Sequence, residues 1–254
     1  MSNREDSMRD KVVIVTGGSQ GVGLGISRAF LRAGARVVSC ARKTFETCPA
    51  AETEDERARS MHVQADIRDD EQIDRVISET LDRFGRLDVL VNNAGGQPPM
   101  DIAEASPRFL RKIVELNLTA PMIFAAAAYR AMSEAGRGGC IINISSQASM
   151  PTGGATLVPY GAAKAGLNHM TRSLAIAWGK KVRVNCVSLG WVETEAMADL
   201  LLPANRSEWQ ATLDRIPVGR MGTPDEIGGI CTFLASDAAS YINGATIWTD
   251  GGGT

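Results

Sequence analysis

Four β-branched residues in a row, Val12-Val13-Ile14-Val15, run directly into Thr16-Gly17-Gly18-Ser19-Gln20-Gly21-Val22-Gly23. Beyond this turn Val22, Ile26, Ala29, Phe30 and Ala33 recur at helical spacing, and Val37-Val38 follows. A strand that enters a helix through glycines and returns to a second strand is a βαβ unit, which commits the chain to parallel strands covered by helices. The alternation continues with a strand near 61–65, a helix carrying Ile73, Val76, Ile77 and Phe84, and a strand over 87–91. A helix over 107–132, a strand over 140–144, a helix through 160–178 and strands over 182–187 and 245–248 complete it. No run of adjacent hairpins interrupts the pattern. The expectation is an α/β fold, a Rossmann-type doubly wound parallel sheet of about seven strands with helices on both faces. With no internal repeat and no long linker, residues 1–254 read as one domain.

Composition narrows the function. The chain has 254 residues, 44% of them hydrophobic, enough for a substantial core, and a net charge of only -2. No basic run is longer than Lys180-Lys181, so neither nucleic acid nor an anionic membrane is an expected partner, and a small molecule is. Residues 1–11 lack the apolar stretch of a secretory signal, and the longest apolar stretch, 122–129, is too short to cross a bilayer; a cytoplasmic location is expected. The five cysteines are scattered without a C-x-x-C pair and there are two histidines, so no disulfide framework and no metal site is expected.

The glycine turn places flexible backbone where a chain must approach a pyrophosphate, and the helix after it offers free N–H groups and a positive dipole end. Gly17, Ser19, Gln20, Gly21 and Val22 are therefore the expected phosphate-binding residues. The same loop also satisfies G-x-S-x-G, the nucleophile elbow of serine hydrolases, with Ser19 as nucleophile. That reading needs a later acid and histidine, and His169 falls inside a helical pattern rather than on a late loop.

At the end of the second strand, where an acidic residue ordinarily binds the ribose of NAD, this chain has Ser39-Cys40-Ala41-Arg42-Lys43. Nothing there repels a 2'-phosphate, and the guanidinium of Arg42 can pair with one. NADP(H) is the favoured cofactor, with NAD(H) as the alternative. Further on, Tyr160 and Lys164 stand four residues apart, on one face of a helix. A cation beside a phenol lowers its pKa toward working pH, the property of an acid/base acting on an alcohol or ketone. Ser145-Ser146 follow the strand 140–144, at the carboxyl end of the sheet where open α/β folds bind ligands.

These residues, with Asp66, Asn92-Asn93-Ala94-Gly95, Asn117 and Asp250-Gly251-Gly252, resemble the short-chain dehydrogenase/reductase family along nearly the whole chain, in the manner of its 3-oxoacyl-carrier-protein reductases and hydroxysteroid dehydrogenases. The resemblance implies Tyr160 as acid/base, Lys164 as its pKa modulator and ribose ligand, Ser146 rather than Ser145 as polariser of the substrate oxygen, and Asn117 as anchor of a relay water. It implies adenine contacts from Asp66 and Ile67, and a cofactor cleft lined by Asn93, Ala94 and Gly95. Gly190, Val192 and Thr194 would hold the nicotinamide end. Asn117 on an otherwise apolar helix independently calls for partners, since a buried amide without them is costly.

Leu189-Gly190 stands where the family commonly has Pro-Gly, which is expected to loosen that turn, and the stretch between Ser146 and Tyr160 is longer than in many members. By the same resemblance 191–216 is a substrate lid, rich in Ala, Leu and Met with Trp209, suited to a hydrophobic steroid-like, terpenoid or 3-oxoacyl substrate. The loop 96–100 is a further cleft wall. The helix 107–132, with its run of four alanines over 125–128, and the Tyr160 helix resemble the family's dimer face, so a homo-oligomer, tetramer or dimer, is expected. The remaining alternative is a dinucleotide-sensing protein that keeps the fold without catalysis.

Overall fold

The computed structural model describes residues 8–151, 154–197 and 206–253. Seven parallel strands lie in the order β3-β2-β1-β4-β5-β6-β7: β1 (Val12–Thr16), β2 (Arg36–Ala41), β3 (Ser60–Gln64), β4 (Val89–Asn92), β5 (Gly139–Ser146), β6 (Val182–Leu189) and β7 (Thr246–Thr249). The strand order reverses between β1 and β4, whose partners include Val13 with Val89 and Val15 with Val91. Loops leaving the carboxyl ends of these strands diverge to opposite sides there and open a crevice.

Period-two alternation divides the core. Val13 and Val15 of β1 face the layer formed by α1 (Gly21–Arg32) and α8 (Pro224–Ala235), and pack with Ile26, Phe30, Ile227 and Leu234. Ile14 faces the opposite layer with Ile73 and Val76 of α3 (Asp70–Phe84) and Phe124 of α5 (Ala120–Glu134). The α1–α8 contact is close because glycines meet there: a Cβ on Gly228 would lie 2.6 Å from the Ala29 Cβ, and one on Gly25 2.4 Å from the Pro224 carbonyl carbon. No described helix is long and apolar enough to cross a membrane.

Helices α2 (Glu54–Ala58), α7 (Arg206–Leu213) and α8 go beyond the sequence expectation. For α2 and α8 the signal was a capping box, Thr53 with Glu56 and Thr223 with Glu226, in which each side chain satisfies the other's backbone N–H.

The expected continuous helix over 107–132 is divided. It consists of α4 (Pro107–Val114), one π turn over Glu115–Thr119, and α5. Pro121 supplies the reason, because it has no N–H for the carbonyl four residues back, that of Asn117, and its ring crowds that carbonyl. The alanine run is likewise not a free face: Ala125, Ala127 and Ala128 are buried within the chain itself.

Candidate active site

The turn from β1 to α1 is built around backbone that side chains would obstruct. Gly17 has φ +64°, and a Cβ on Gly23 would fall 2.1 Å from the Gly17 carbonyl oxygen. Thr16 and Asn93 staple this turn to the end of β4. The Thr16 hydroxyl accepts from the N–H groups of Asn93 and Ala94, both at 2.9 Å, while Asn93 Nδ2 donates to the Thr16 carbonyl at 2.9 Å. Asn93 is thus at the cleft but spends its amide holding two strand ends together. Neighbouring Asn92 is deeper, donating to Asn143 Oδ1 at 3.0 Å and to the Pro121 carbonyl at 3.1 Å.

Helix α1 starts at Gln20 without a side-chain cap and without an acidic residue in its first turn, so its leading N–H groups are available to an outside acceptor. One already has an anion. Gly21 N–H donates to the carboxylate of Glu195 at 3.2 Å, an oxygen standing where a phosphate oxygen would bind. Thr194 packs against the same glycine, its Cγ2 3.3 Å from where a Gly21 Cβ would be. The residues present therefore fit a dinucleotide pyrophosphate. Ser19 is half-buried and Gln20 exposed on this turn, and Val22 opens the helix.

At the end of β2 the backbone of 42–43 is held from β3: Gln64 Nε2 donates to the Arg42 carbonyl at 3.1 Å, and His62 Nε2 lies 2.9 Å from the Lys43 carbonyl. The exposed Arg42 side chain makes no salt bridge among the described residues. Asp66 is already engaged, accepting from Arg68 Nε at 2.9 Å and from its terminal nitrogen at 2.5 Å. The Arg68 guanidinium holds its carboxyl below the ordinary value, with a contribution from Arg42. Ile67 is buried and borders a cleft of about 540 Å³ that also touches Glu115 and Thr119 but none of the expected catalytic residues.

Four side chains converge from three elements, β5, the π turn and one helix. Ser146 ends β5, where its hydroxyl accepts from Ala148 N–H at 3.2 Å and stands near enough to favour the ionised phenol of Tyr160, which lies in the first turn of α6 (Val158–Trp178). Ser145, one residue earlier, points the other way and donates to the Lys164 carbonyl at 3.3 Å. Lys164 is 3% exposed; its ammonium donates to the Ile144 carbonyl at 2.7 Å and lies 5.6 Å from the Tyr160 ring centroid. Burial lowers the ammonium to about 8. The phenol is not lowered as the spacing suggests. Burial pushes it up and the Ser146 hydroxyl opposes this, because the ammonium is turned to the backbone rather than to the phenol oxygen.

Asn117 is fully buried in the π turn. Its Nδ2 donates to the carbonyls of Ile113 at 2.9 Å and Gly96 at 3.1 Å, and its Oδ1 accepts from Gly96 N–H at 2.8 Å. Gly95 is the consequence, since a Cβ there would lie 2.6 Å from Asn117 Oδ1 and 3.2 Å from Lys164 Nζ.

On the far side of the crevice the β6 turn is not loose. Leu189 keeps its N–H and its place in the sheet, opposite Ser146 and Thr249, and Gly190 N–H donates to the Thr249 carbonyl at 3.0 Å. Gly190 is obligatory because a Cβ would stand 2.7 Å from the Asp250 Cα. Val192 is buried and bridges Gly222, and the Trp191 ring meets that of Trp209 edge-on at 5.1 Å. Within the expected lid, residues 198–205 lie outside the described residues. Two neighbours of the site carried no sequence signal: Gln97, read only as part of a cleft wall, and Glu195.

A parallel sheet with a glycine turn at its switch point and Ser, Tyr, Lys and Asn converging over its carboxyl edge defines a dinucleotide-dependent oxidoreductase class. Residues 17–254 match the family model described as Enoyl-(Acyl carrier protein) reductase. The chain is 36% identical to L-fucose dehydrogenase of Oryctolagus cuniculus, covering 95% of this chain and 84% of that one. It is 37% identical to L-rhamnose 1-dehydrogenase (NAD(P)(+)) of Azotobacter vinelandii, over 96% of each. It is 35% identical to cis-4-hydroxycyclohexanecarboxylate dehydrogenase of Sinomonas cyclohexanicum, over 98% of each. A crystal structure of a short chain dehydrogenase from Bacillus anthracis superposes with a TM-score of 0.85 at 33% identity, covering 97% of both chains. The chain belongs to the short-chain dehydrogenase/reductase family, and it is an NAD(P)-dependent oxidoreductase. That membership decides against the Ser19 hydrolase and the non-catalytic sensor.

Proposed function

We propose that this enzyme interconverts a secondary alcohol and a ketone with Tyr160 as the acid/base. The observation that carries the reading is the Tyr160 phenol at the end of β5, with the buried Lys164 ammonium 5.6 Å from its ring centroid and the Ser146 hydroxyl acting on its ionisation. The nicotinamide, when bound, supplies or accepts the hydride. Toward the ketone, the Tyr160 phenolate takes the substrate's hydroxyl proton; toward the alcohol, the phenol returns it to the carbonyl oxygen. Ser146 donates to that same oxygen and polarises it. Lys164 holds a ribose hydroxyl, and its cation would favour the phenolate once turned from the Ile144 carbonyl toward the phenol oxygen, while Asn117, through the backbone of the π turn, anchors a relay water.

Gly17, Ser19, Gln20, Gly21 and Val22 would hold the pyrophosphate, Asp66 and Ile67 the adenine, Asn93, Ala94 and Gly95 the cleft floor, and Gly190, Val192 and Thr194 the carboxamide end. NADP(H) is favoured over NAD(H) because Arg42 is exposed at the end of β2, where no carboxylate would repel a 2'-phosphate. Residues 191–216 serve as the substrate lid, and its Trp191–Trp209 pair supports a substrate with an apolar face. Exposed Met122, Ile176, Phe233 and Tyr241 support a homo-oligomer, a tetramer or dimer, and five free, buried cysteines suit the reducing cytoplasm.

Purified protein titrated with NADPH and NADH, then assayed with L-fucose, L-rhamnose, cis-4-hydroxycyclohexanecarboxylate, a hydroxysteroid and a 3-oxoacyl thioester, tests this reading. Tyr160→Phe should bind NADPH within about threefold of the parent while kcat falls by about two to four orders of magnitude. Retained turnover would remove Tyr160 from the chemistry.

A further inference from the structure

Helix α6 begins without a local cap. Its N-cap residue, Leu157, has no side-chain acceptor, and Pro159 brings no N–H, so the Tyr160 N–H is an early donor that needs a partner from elsewhere. That partner comes from 63 residues away: Gln97 Oε1 accepts from Tyr160 N–H at 3.1 Å. The other half of the same carboxamide is also used, Nε2 donating to the Thr156 carbonyl at 3.0 Å, and Met100 N–H reaches that carbonyl too at 3.0 Å. The residue before Gln97 is the one Asn117 grips, with Gly96 N–H and carbonyl both bound to its amide. Gly96 allows this with φ +134°, a conformation side chains avoid. The dipeptide Gly96-Gln97 is thus a strut with Asn117 at one end and the backbone of Tyr160 at the other.

We propose that Gln97 is a positioning residue that caps the first turn of α6 and fixes Tyr160 against Asn117 and Ser146, setting proton transfer without contributing to cofactor binding. The inference rests on Tyr160 being the acid/base. An error of about 1 Å in such a group costs roughly a hundredfold in rate, so one side chain holding that turn has a measurable effect.

The test uses the full chain with Gln97→Leu, which removes both bonds, Gln97→Asn, which is one methylene too short to reach, and Gln97→Glu, which keeps the acceptor. Two readouts need no substrate: amide hydrogen exchange in the first turn of α6, and the ultraviolet titration of the Tyr160 phenol, assigned by difference from Tyr160→Phe. Gln97→Leu and Gln97→Asn should exchange faster there by about tenfold or more, and their phenol should titrate lower, toward the ordinary tyrosine value, as the turn opens to water. With a substrate of the panel above, their kcat should fall about ten- to a hundredfold at unchanged NADPH affinity. Gln97→Glu should restore exchange protection and most of kcat, because a carboxylate is a good acceptor at a helix N-terminus. Unchanged exchange and titration in both Gln97→Leu and Gln97→Asn overturn the inference, as does a Gln97→Glu no better than Gln97→Leu. Turnover lost in Tyr160→Phe but kept in Gln97→Leu overturns it alone, whereas turnover kept in Tyr160→Phe overturns the acid/base reading with it.

Discussion

The ammonium of Lys164 donates to the carbonyl of Ile144 at 2.7 Å, so the strand that ends in Ser146 also holds the lysine one helical turn beyond Tyr160. This bond satisfies one of three ammonium protons in a site that is 3% exposed, and burial brings the group to about 8 from an ordinary 10.5. The unfolded chain binds more protons than the native one between those values. Stability owed to this group therefore rises with pH across about pH 8 to 10.5, with a slope of at most about 1.4 kcal/mol per pH unit. Urea midpoints of the parent and Lys164→Met, compared over that range, should show the parent gaining on the variant as pH rises. A constant difference would place the lysine's titration outside it.

Arg42→Asp should invert the cofactor preference, because repulsion of a 2'-phosphate replaces attraction and a carboxylate can bind ribose hydroxyls. The check is the ratio of kcat/KM for NADPH and NADH. A ratio unchanged within about twofold would hand cofactor choice to other groups.

Gly95→Ala places a methyl 2.6 Å from Asn117 Oδ1 and 3.2 Å from Lys164 Nζ, so the amide, the ammonium or the loop must move. Destabilisation of about 1–3 kcal/mol, read from denaturant midpoints, should accompany a loss of turnover. An alanine variant with the parent's stability would show that the loop yields freely.

Glu195 occupies the Gly21 N–H that a cofactor phosphate would use. Glu195→Gln removes a negative charge from the N-terminus of α1 and should tighten NADPH binding about two- to fivefold at low salt, as expected from about 0.3–1 kcal/mol for such a charge. Isothermal titration decides it, and weaker binding would mean that Glu195 assists the cofactor instead.

What the sequence by itself determined is whatever depends on neighbours along the chain. Strand and helix periods, the glycine turn and the four-residue spacing of Tyr160 and Lys164 are local patterns, and their order implied the parallel sheet and the placing of Ser146, Tyr160 and Lys164 at its carboxyl edge. The capping box at Thr223 and the proline at 121 were local signals too, and they account for α8 and for the π turn that presents Asn117. The resemblance already preferred Ser146 to Ser145, and the tertiary structure supplied the physical reason, since the two project from opposite sides of β5 and Ser145 spends its hydroxyl on the Lys164 carbonyl. Only the tertiary structure brought Gln97 to Tyr160 across 63 residues and Glu195 to Gly21 across 174. A polar side chain in a loop has no period to betray its partner, and its hydrogen bond exists only once the sheet has carried two distant segments to the same edge.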